Sequence, residues 1–322
     1  MKMKKRLVFV MVLLMVAVCV MPGIQSQAAT GSSAKKPYII FVNPLVGNPV
    51  FTDEEDGMKQ AAKELGFKLK IIGPSVIDDG QMVQAVESAI AEKPNAIITV
   101  PYNFSALSNT YIKAKQAGIP IINTSSDSPE NTRVCFVGTN NTNYGIQAAD
   151  YIAKKTGGKA NVCIMMVRLD VSNQLEQKKA FEARVAQKYP NVKVVITEQD
   201  NGDSMTAVQK FQDIFKAHPE VNTVLCLNAT CGNSAALVVS ENNLTNKVTI
   251  LAIDATSETV DNISKGKIWA TMAQKFWRMG YLGGKYAMDT IHGKKVPSFT
   301  DSGTILVTKD NSKTFQSEMH KP

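Results

Sequence analysis

Residues 38–72 read YIIFVNPLVGNPVFTDEEDGMKQAAKELGFKLKII, and they contain the unit from which the rest of the fold is predicted. The apolar run at 38–43 predicts a buried strand, and residues 53–65 predict a helix. Thr52 and Glu55 have the spacing of a capping box, in which both side chains pair with free amides at a helix start. A second apolar run follows the helix, so this stretch predicts a strand, helix, strand unit.

The same alternation continues along the chain in two series. Short, continuous apolar runs are typical of strands whose two faces are both covered by helices. Further strands are predicted at 68–72, 96–100, 120–123 and 135–138 in the first series, and at 161–167, 193–197, 223–227 and 248–253 in the second. Two series of similar size predict an α/β protein built of two similar doubly wound parallel-sheet lobes.

The end of the sequence predicts how the lobes are joined. A strand at 269–273, a helix at 277–291 and a strand at 303–308 are too few for a third domain, so we expect them to return to each lobe in turn. The predicted N-terminal lobe is 37–139 plus 275–303, and the predicted C-terminal lobe is 140–274 plus 304–322. Several crossings of this kind make a multi-strand hinge, and a cleft between two lobes is the default ligand site.

Residues 1–29 read as a leader, with four cations ahead of the apolar run 7–20. Ala28 and Ala29 fit cleavage by a signal peptidase, so we expect a signal peptide and export to the periplasm or the outer face of the cytoplasmic membrane. A retained membrane anchor is the alternative, because the apolar part approaches the roughly 18 residues that a spanning helix needs. Lipid attachment at Cys19 stays open, although the residue before it is larger than usual.

The charge balance gives no sign of a nucleic-acid partner. The chain has 36 Lys and Arg against 28 Asp and Glu, and removal of the four leader cations leaves 32 against 28, close to +4. The remaining basic residues are scattered at helical spacing and form no basic stripe. Solvated helix faces therefore account for them.

Four cysteines follow the leader: Cys135, Cys163, Cys226 and Cys231. None has C-x-x-C spacing, so buried free thiols are favoured over a metal site, and we expect neither a metal nor a cofactor. Whether Cys226 and Cys231 form a disulfide stays open.

Polar side chains stand at or just beyond the ends of several predicted strands: Asn48, Asp127, Asn228, Asp254 and Gln274. Open α/β sheets bind ligands at the carboxyl ends of their strands, so these residues predict a cleft for a polar small molecule. The competing interpretation is structural, with Asn48 in a turn, Asp254 as a helix cap and the amides bonded locally.

The sequence does not supply the parts of an enzyme. His218, His292 and His320 lie at predicted helix ends or in the tail, so no nucleophile and base can be assembled in the cleft. Neither a dinucleotide-binding glycine turn nor a P-loop lysine motif is present. A binding protein is therefore expected.

At four places the sequence resembles the ribose-binding branch of the type I periplasmic binding proteins, the sugar receptors of ATP-driven importers. The matching stretches are GNPVF at 47–51, PIINTSSDSP at 120–129, ILAIDA at 250–255 and IWATMAQ at 268–274. The resemblance covers essentially the whole mature chain. One such match is weak, whereas four in order at similar spacing are specific.

The resemblance implies ligand contacts at the matching positions. Asn48 and Phe51 match residues that hydrogen-bond and stack on the sugar, whereas Asn228, Asp254 and Gln274 match strand-end and hinge-side residues. Other positions depart from the family. Ser125, Ser126 and Asp127 fall where its members commonly have Asp followed by Arg or Ser, so Ser126 is a candidate ligand contact and Asp127 a candidate substitute for the missing acid. Gln177 stands where a sugar-contacting Arg often occurs, and Asn201 lies near the position of a stacking Phe.

These residues suit a ligand rich in hydroxyl groups. Planar Asp, Asn and Gln side chains can bond two vicinal hydroxyls at once, and an aromatic ring can pack on the C–H face of a sugar. The resemblance therefore implies a monomeric receptor that closes on a monosaccharide or related polyol and delivers it to the permease of an ABC importer. The alternative is a sugar-sensing receptor that presents its bound ligand to a chemoreceptor or sensor kinase.

Overall fold

The computed structural model describes residues 35–321, so the leader and Cys19 lie outside the described residues. The strands are β1 Tyr38–Val42, β2 Lys68–Ile72, β3 Ala96–Thr99, β4 Ile121–Thr124, β5 Cys135–Gly138, β6 Ala160–Met166, β7 Val192–Gln199, β8 Thr223–Cys226, β9 Thr249–Ile253, β10 Ala270–Gln274, β11 Phe299–Asp301 and β12 Thr304–Thr308. The helices are α1 Pro49–Leu65, α2 Asp79–Ala91, α3 Phe104–Gln116, α4 Asn141–Thr156, α5 Ser172–Lys188, α6 Ser204–Ala217, α7 Cys231–Glu241, α8 Ser257–Ser264, α9 Phe276–Ile291 and α10 Gln316–Met319. Strand and helix alternate almost throughout.

The strands form two six-stranded sheets, one in each lobe. The first has the order β11-β5-β4-β3-β1-β2, and the second has the order β12-β10-β9-β8-β6-β7. Strands β3, β4 and β5 are buried along their whole length, and each sheet has an apolar core on both faces. The prediction of an α/β protein with two doubly wound lobes is confirmed. All pairs are parallel except β10 with β12, which is antiparallel.

The chain crosses between the lobes three times, after β5, after β10 and between β11 and β12. Helix α9 packs on α1 in the first lobe, and the chain then adds β11 to the first sheet and β12 to the second. These three connecting segments form the hinge between the lobes.

Helices α1 and α9 pack at unusually close range. A Cβ atom built on Gly280 would lie 1.9 Å from the backbone oxygen of Glu54, and one built on Gly57 would lie 2.0 Å from that of Trp277. These distances are far below van der Waals contact, so only glycine permits this approach at either position.

Helix α1 begins earlier than the capping-box pattern predicts. Asn48 is its N-cap, with Oδ1 accepting a hydrogen bond from Val50 N at 3.1 Å, and Pro49 occupies the first helical position. The prediction that Thr52 caps this helix is therefore wrong. Proline at the first position lacks an amide that would need a partner, which favours the earlier start.

Cys226 and Cys231 form a disulfide, whereas Cys135 and Cys163 are buried free thiols. The bridge joins the end of β8 to the start of α7, so the residues between them form a small covalent loop. Within residues 35–321, no helix combines the length and apolar character needed to cross a membrane.

Candidate ligand-binding site

A small cavity lies between the lobes, at the carboxyl ends of both sheets. Five of the eight predicted site residues line it: Asn48, Phe51, Asn228, Asp254 and Gln274. Its volume is about 60 Å³, room for roughly two water molecules. Pockets for drug-sized ligands span roughly 300 Å³ or more. The lobes therefore stand close together, and a larger ligand enters only when they part.

Asp254 follows β9 and is the buried acid of the cavity. Its backbone φ is 63°, in the left-handed region that residues other than glycine rarely adopt. Its Oδ1 accepts a hydrogen bond from Gln274 Nε2 at 3.0 Å, and burial, partly offset by that bond, raises the pKa of the carboxyl to about 7. It does not cap α8, because Thr256 does so by accepting a bond from Thr259 N. Strained backbone and a perturbed acid commonly mark functional sites.

Asn228 follows β8 and is held in one orientation. Its Oδ1 accepts hydrogen bonds from the backbone amides of Thr230 and Cys231 at 3.1 and 3.0 Å, so the expected turn does form. Its Nδ2 donates to both carboxylate oxygens of Asp200, at 3.0 and 2.9 Å. An amide nitrogen carries two protons, which leaves a donor for a ligand only on the side away from Asp200.

Gln274 connects the cavity to the hinge. It ends β10 just before the chain crosses to α9, and its Oε1 accepts a hydrogen bond from Thr139 Oγ1 at 2.8 Å. Thr139 follows β5, at another of the three crossings. Because Gln274 Nε2 also donates to Asp254, one side chain bonds to a hinge residue and to the buried acid.

Aromatic rings form the apolar wall of the cavity. Phe51, on the first turn of α1, packs against Tyr102 and Phe276, with ring centroids 6.2 and 5.9 Å apart. Tyr102 follows β3, which places it on the same side of the first sheet. The rings offer a surface for the C–H face of a sugar, and the amides and the acid lie in the second lobe.

Ser126 and Asp127 lie outside this cavity. The Ser126 hydroxyl is 3.1 Å from that of Ser172, which belongs to the second lobe, so it contributes to contact between the lobes. Arg133 donates from Nη2 to Asp127 Oδ2 at 2.7 Å and also bonds Oδ1. The positive charge of Arg133 balances that of the carboxylate. Asp127 lines a separate groove beside the hinge. The structure therefore does not place it where the missing acid was expected.

Gln177 also lies outside the cavity, buried between α4 and α5. Its Nε2 donates to Asn141 Oδ1 at 2.9 Å, whereas no residue of the described chain bonds its Oε1. The arrangement holds the start of α4 against α5, close to the first crossing. Gln177 therefore supports the second lobe and does not line the wall.

Two acids behind the wall were missed by the sequence analysis. Glu54 is fully buried on α1, and its Oε2 accepts a hydrogen bond from Ser125 Oγ at 3.2 Å. Burial raises the pKa of Glu54 to about 8 and that of Asp200 to about 6. Ser125 lines the cavity, so a carboxyl group from α1 stands behind the position where an acid was expected. Glu54 belongs to a run of four acids, 53–56, of which it is the only buried member, and this run hid its burial.

The lobes also touch at the outer edge of the cleft. Arg168, after β6, donates from Nη1 and Nη2 to the two carboxylate oxygens of Asp79 at 3.2 and 3.0 Å, and it also pairs with Asp170. Asp79 begins α2 in the first lobe and accepts a further bond from Asn103. This ion pair, the outer latch, holds the two lobes together directly.

In the described part of the chain, no group of three or more His, Cys, Asp or Glu side chains is placed to hold a metal ion. The polar groups of the cavity are instead single hydrogen-bonding side chains from both lobes. They can bind a neutral polyhydroxylated molecule.

The sequence matches a family model described as the periplasmic binding protein domain over residues 39–295. The chain is 24% identical over 298 residues to the ribose import binding protein of Bacillus subtilis (strain 168), which covers 92% of this chain and 96% of the relative.

Two solved structures of similar chains were also found. A glucose-galactose binding protein from Geobacillus stearothermophilus is 29% identical, with a TM-score of 0.83 over 86% of this chain and 98% of its own. A structure described as the XylFII-LytSN complex contains a chain 28% identical, with a TM-score of 0.80 over 85% of this chain and 98% of its own. Both likenesses extend over both lobes.

Proposed function

The chain belongs to the periplasmic binding protein domain family, and from that premise we propose that it is an exported receptor for a monosaccharide or related polyol. The observation that carries the proposal is the convergence of five predicted residues, from both lobes, on one cavity. Amides and a buried acid in the second lobe face aromatic rings in the first. This division matches the two surfaces of a sugar, its hydroxyl edge and its C–H face.

Capture works by closure of the hinge. A ligand that bonds Asp254 and Asn228 in one lobe and packs on Phe51 in the other stabilises closure by its differential affinity for the open and closed states, with the lobes far enough apart to hold it. Gln274 bonds both to Asp254, which contacts the ligand, and to Thr139 in the hinge, so it links the ligand site to the hinge. The permease of an ABC importer then recognises the two lobe surfaces in their closed arrangement, and the receptor acts as a monomer.

Export is supported by the leader and by the disulfide. The basic and apolar segment in residues 1–29 has the form of a signal peptide. A structural disulfide such as Cys226–Cys231 is typical of oxidising compartments and rare in the cytoplasm. Both features favour a protein that works outside the cytoplasmic membrane.

A sensing role is the second candidate. A similar chain, at 28% identity, occurs in a solved complex with the partner named LytSN. The same ligand-driven closure would serve a sensor, because only the surface that reads the closed form differs. A pull-down with permease or sensor proteins encoded by adjacent genes distinguishes the two roles.

A thermal-shift screen against pentoses, hexoses, deoxysugars and polyols tests the proposal, followed by calorimetry on the compounds that raise the Tm. We expect Asp254→Ala and Asn228→Ala each to weaken binding by about tenfold or more, because each removes a buried hydrogen bond. Asp213→Ala, on the exposed face of α6, is the control. The proposal fails if no compound binds or if both cavity variants bind as tightly as the native protein.

A further inference from the structure

The lining of the cavity carries one carboxyl group and no base. Among the described residues that line it, Asp254 is the one acid, and Lys, Arg and His are absent. Arg168, which follows β6, is bonded to Asp79 and Asp170 at the outer latch. Lys275 precedes a lining residue in the sequence and does not itself line the cavity. The charged group that a ligand meets between the lobes is therefore negative.

The carboxyl group of Asp254 has no basic partner. Its side chain is only 5% exposed, and among residues 35–321 only Gln274 donates to the carboxyl, through a neutral amide and to Oδ1. Burial of a carboxylate is costly unless a cation or several donors compensate its charge. A single amide compensates only part of that charge, so the remaining compensation falls to the ligand.

The two acids behind the lining, one in each lobe, also lack a base. Asp200 is buried behind Asn228 and Glu54 is buried behind Ser125, and their hydrogen bonds come from amide and hydroxyl groups. Within the described chain, neither acid forms an ion pair. A cation placed between the lobes favours the ionised form of each carboxyl, and each ionised carboxyl in turn attracts the cation.

The opposite wall offers a second surface for a cation. Phe51, Tyr102 and Phe276 line the cavity from the first lobe, and in residues 35–321 no Lys or Arg lies over any of these three rings. Burial raises the pKa of Tyr102 well above its ordinary value, and the carboxylates of Asp254 and Glu54 add to the rise, so both acids act on this ring. Aromatic faces attract cations, and groups of rings are used to bind ammonium ligands.

The helix starts at the cavity do not supply the missing positive charge. Helices α1, α5 and α7 begin there, and at each start an Asn side chain accepts from a backbone amide: Asn48 from Val50, Asn173 from Gln174, and Asn228 from Thr230 and Cys231. These amides are therefore occupied. The partial charge of one helix start is equivalent to about half an elementary charge, less than that of one carboxylate. A carboxylate or phosphate on the ligand finds no base here.

We infer that the ligand carries a protonated amine, as in an amino sugar or an imino sugar, with the ammonium group between Asp254 and the aromatic rings. The inference rests on the proposed function, because it names the class of sugar that the same site takes. An ammonium group donates to the carboxylate and presents its charge to the rings, while the hydroxyls bond the amides of the second lobe. The argument does not depend on how far the lobes part, since the acid stays with one lobe and the rings with the other.

The test compares matched ligands by calorimetry on the full mature chain. Glucose, galactose and mannose are each measured beside their 2-amino form and its N-acetyl derivative, which keeps the nitrogen and removes the charge. 6-Amino-6-deoxyglucose and 1-deoxynojirimycin place the charge elsewhere on the ring. We expect at least one charged sugar to bind about tenfold or more tightly than its neutral parent. The inference is overturned if neutral sugars bind and every charged form, or its N-acetyl derivative, binds no differently.

Two variants sharpen the comparison. Asp254→Asn keeps the shape of the side chain and removes its charge, so the preference for the charged sugar over its parent is expected to fall to within about twofold. Asp213→Asn, on the exposed face of α6, is the matched control and keeps the preference. Phe51→Leu removes one ring face and is expected to lower the preference about threefold. Phe104→Leu, whose ring packs on Tyr111 away from the cavity, is its control.

The failures of the two proposals are distinct. A preference that survives unchanged in Asp254→Asn overturns the inference alone, and if that variant does not fold, the same result in Phe51→Leu decides the matter. If neither neutral nor amino sugars bind the native chain, or if bare amines such as putrescine and choline bind and no sugar does, the proposed function fails and the inference falls with it.

Discussion

Asp254 combines burial, a left-handed backbone and a raised pKa at a single position of the cavity wall. Its carboxylate is the strongest acceptor that the wall offers, because hydrogen bonds to an ionised group are worth more than those to a neutral one. Hydroxyl donors of a bound sugar favour the ionised form. Under the proposed function, ligand binding and deprotonation of Asp254 are therefore coupled.

We expect sugar affinity to fall as the pH is lowered from 8 to 6. The free carboxyl has a pKa of about 7, and the ligand lowers it, so binding below that value requires loss of a proton. Calorimetry in buffers of different ionisation enthalpy should detect proton release near pH 6.5. Asp254→Asn is expected to bind more weakly at pH 8 and to lose the pH dependence, whereas Asp213→Asn keeps it. An unchanged pH profile in Asp254→Asn would exclude this coupling.

Glu54→Gln is expected to raise stability selectively at high pH. Burial raises the pKa of Glu54 from 4.5 to about 8, so between these values the folded chain keeps a proton that the unfolded chain releases. Its contribution to stability is therefore present below pH 4.5 and is lost as the pH rises through 8. Thermal melts should show the variant above the native protein at pH 8 and close to it at pH 5. The exposed Glu241→Gln serves as control, and equal shifts at both pH values would contradict the assignment.

At this scale, the sequence predicted cavity residues well where a strand end was recognisable. Asn228, Asp254 and Gln274 lie at the carboxyl ends of strands that the apolar runs had already placed. The sequence did not show that Asp127 pairs with Arg133, because this contact depends on the turn between β4 and β5. The burial of Glu54 depends on α9, which packs over it from more than two hundred residues away in the sequence.

Among the elements, the pair α1 and α9 sets the position of the first-lobe wall, since α1 carries Phe51 and α9 carries Phe276. The two helices approach through Gly57 and Gly280, where no Cβ fits. Any side chain at these positions must push the helices apart, and the cavity wall with them.

Gly280→Ala is expected to destabilise the protein by about 2 kcal/mol, because the added methyl group overlaps the backbone oxygen of Glu54. Thermal or urea denaturation measures the loss. Gly80→Ala is the matched control, since that residue is exposed on α2 and its added Cβ meets only the side chain of Asp78 at 3.3 Å. Alanine there is neutral or slightly stabilising. Equal stability of the two variants would show that the helices adapt without cost.

Elements with a clear apolar pattern were predicted to within a few residues, and several strand or helix limits coincide with those observed. Strand β11 was not predicted, and neither was the direction of β12. Strand β11 is only three residues long and largely exposed, so it has no apolar run, and the antiparallel direction of β12 follows from a return path that a local pattern does not encode. The start of α1 was misplaced because Asn48 and Pro49 also fit a turn.

In the whole molecule, the closed arrangement is held by contacts that need no ligand. The outer latch between Arg168 and Asp79 is bidentate, and the two side chains are 20% and 35% exposed. A partly exposed pair contributes on the order of 1 kcal/mol or less. That is enough to change the ratio of open to closed molecules several-fold.

Asp79→Asn is expected to increase the population of the open form and to weaken sugar binding by about twofold to fivefold, since closure loses an ion pair. X-ray scattering on the ligand-free protein should give a larger radius of gyration for the variant. Asp170→Asn removes the other partner of Arg168 within the same lobe and is the control. If both variants scatter and bind alike, the latch does not govern closure.

The bridge between Cys226 and Cys231 encloses Asn228, Ala229 and Thr230, which line the cavity. Oxidation of these two thiols therefore closes a covalent loop around part of the cavity wall. Protein expressed in a reducing cytosol should contain a fraction with four titratable thiols after the leader instead of two. A thiol assay on denatured protein would give the share of molecules in which the disulfide has formed.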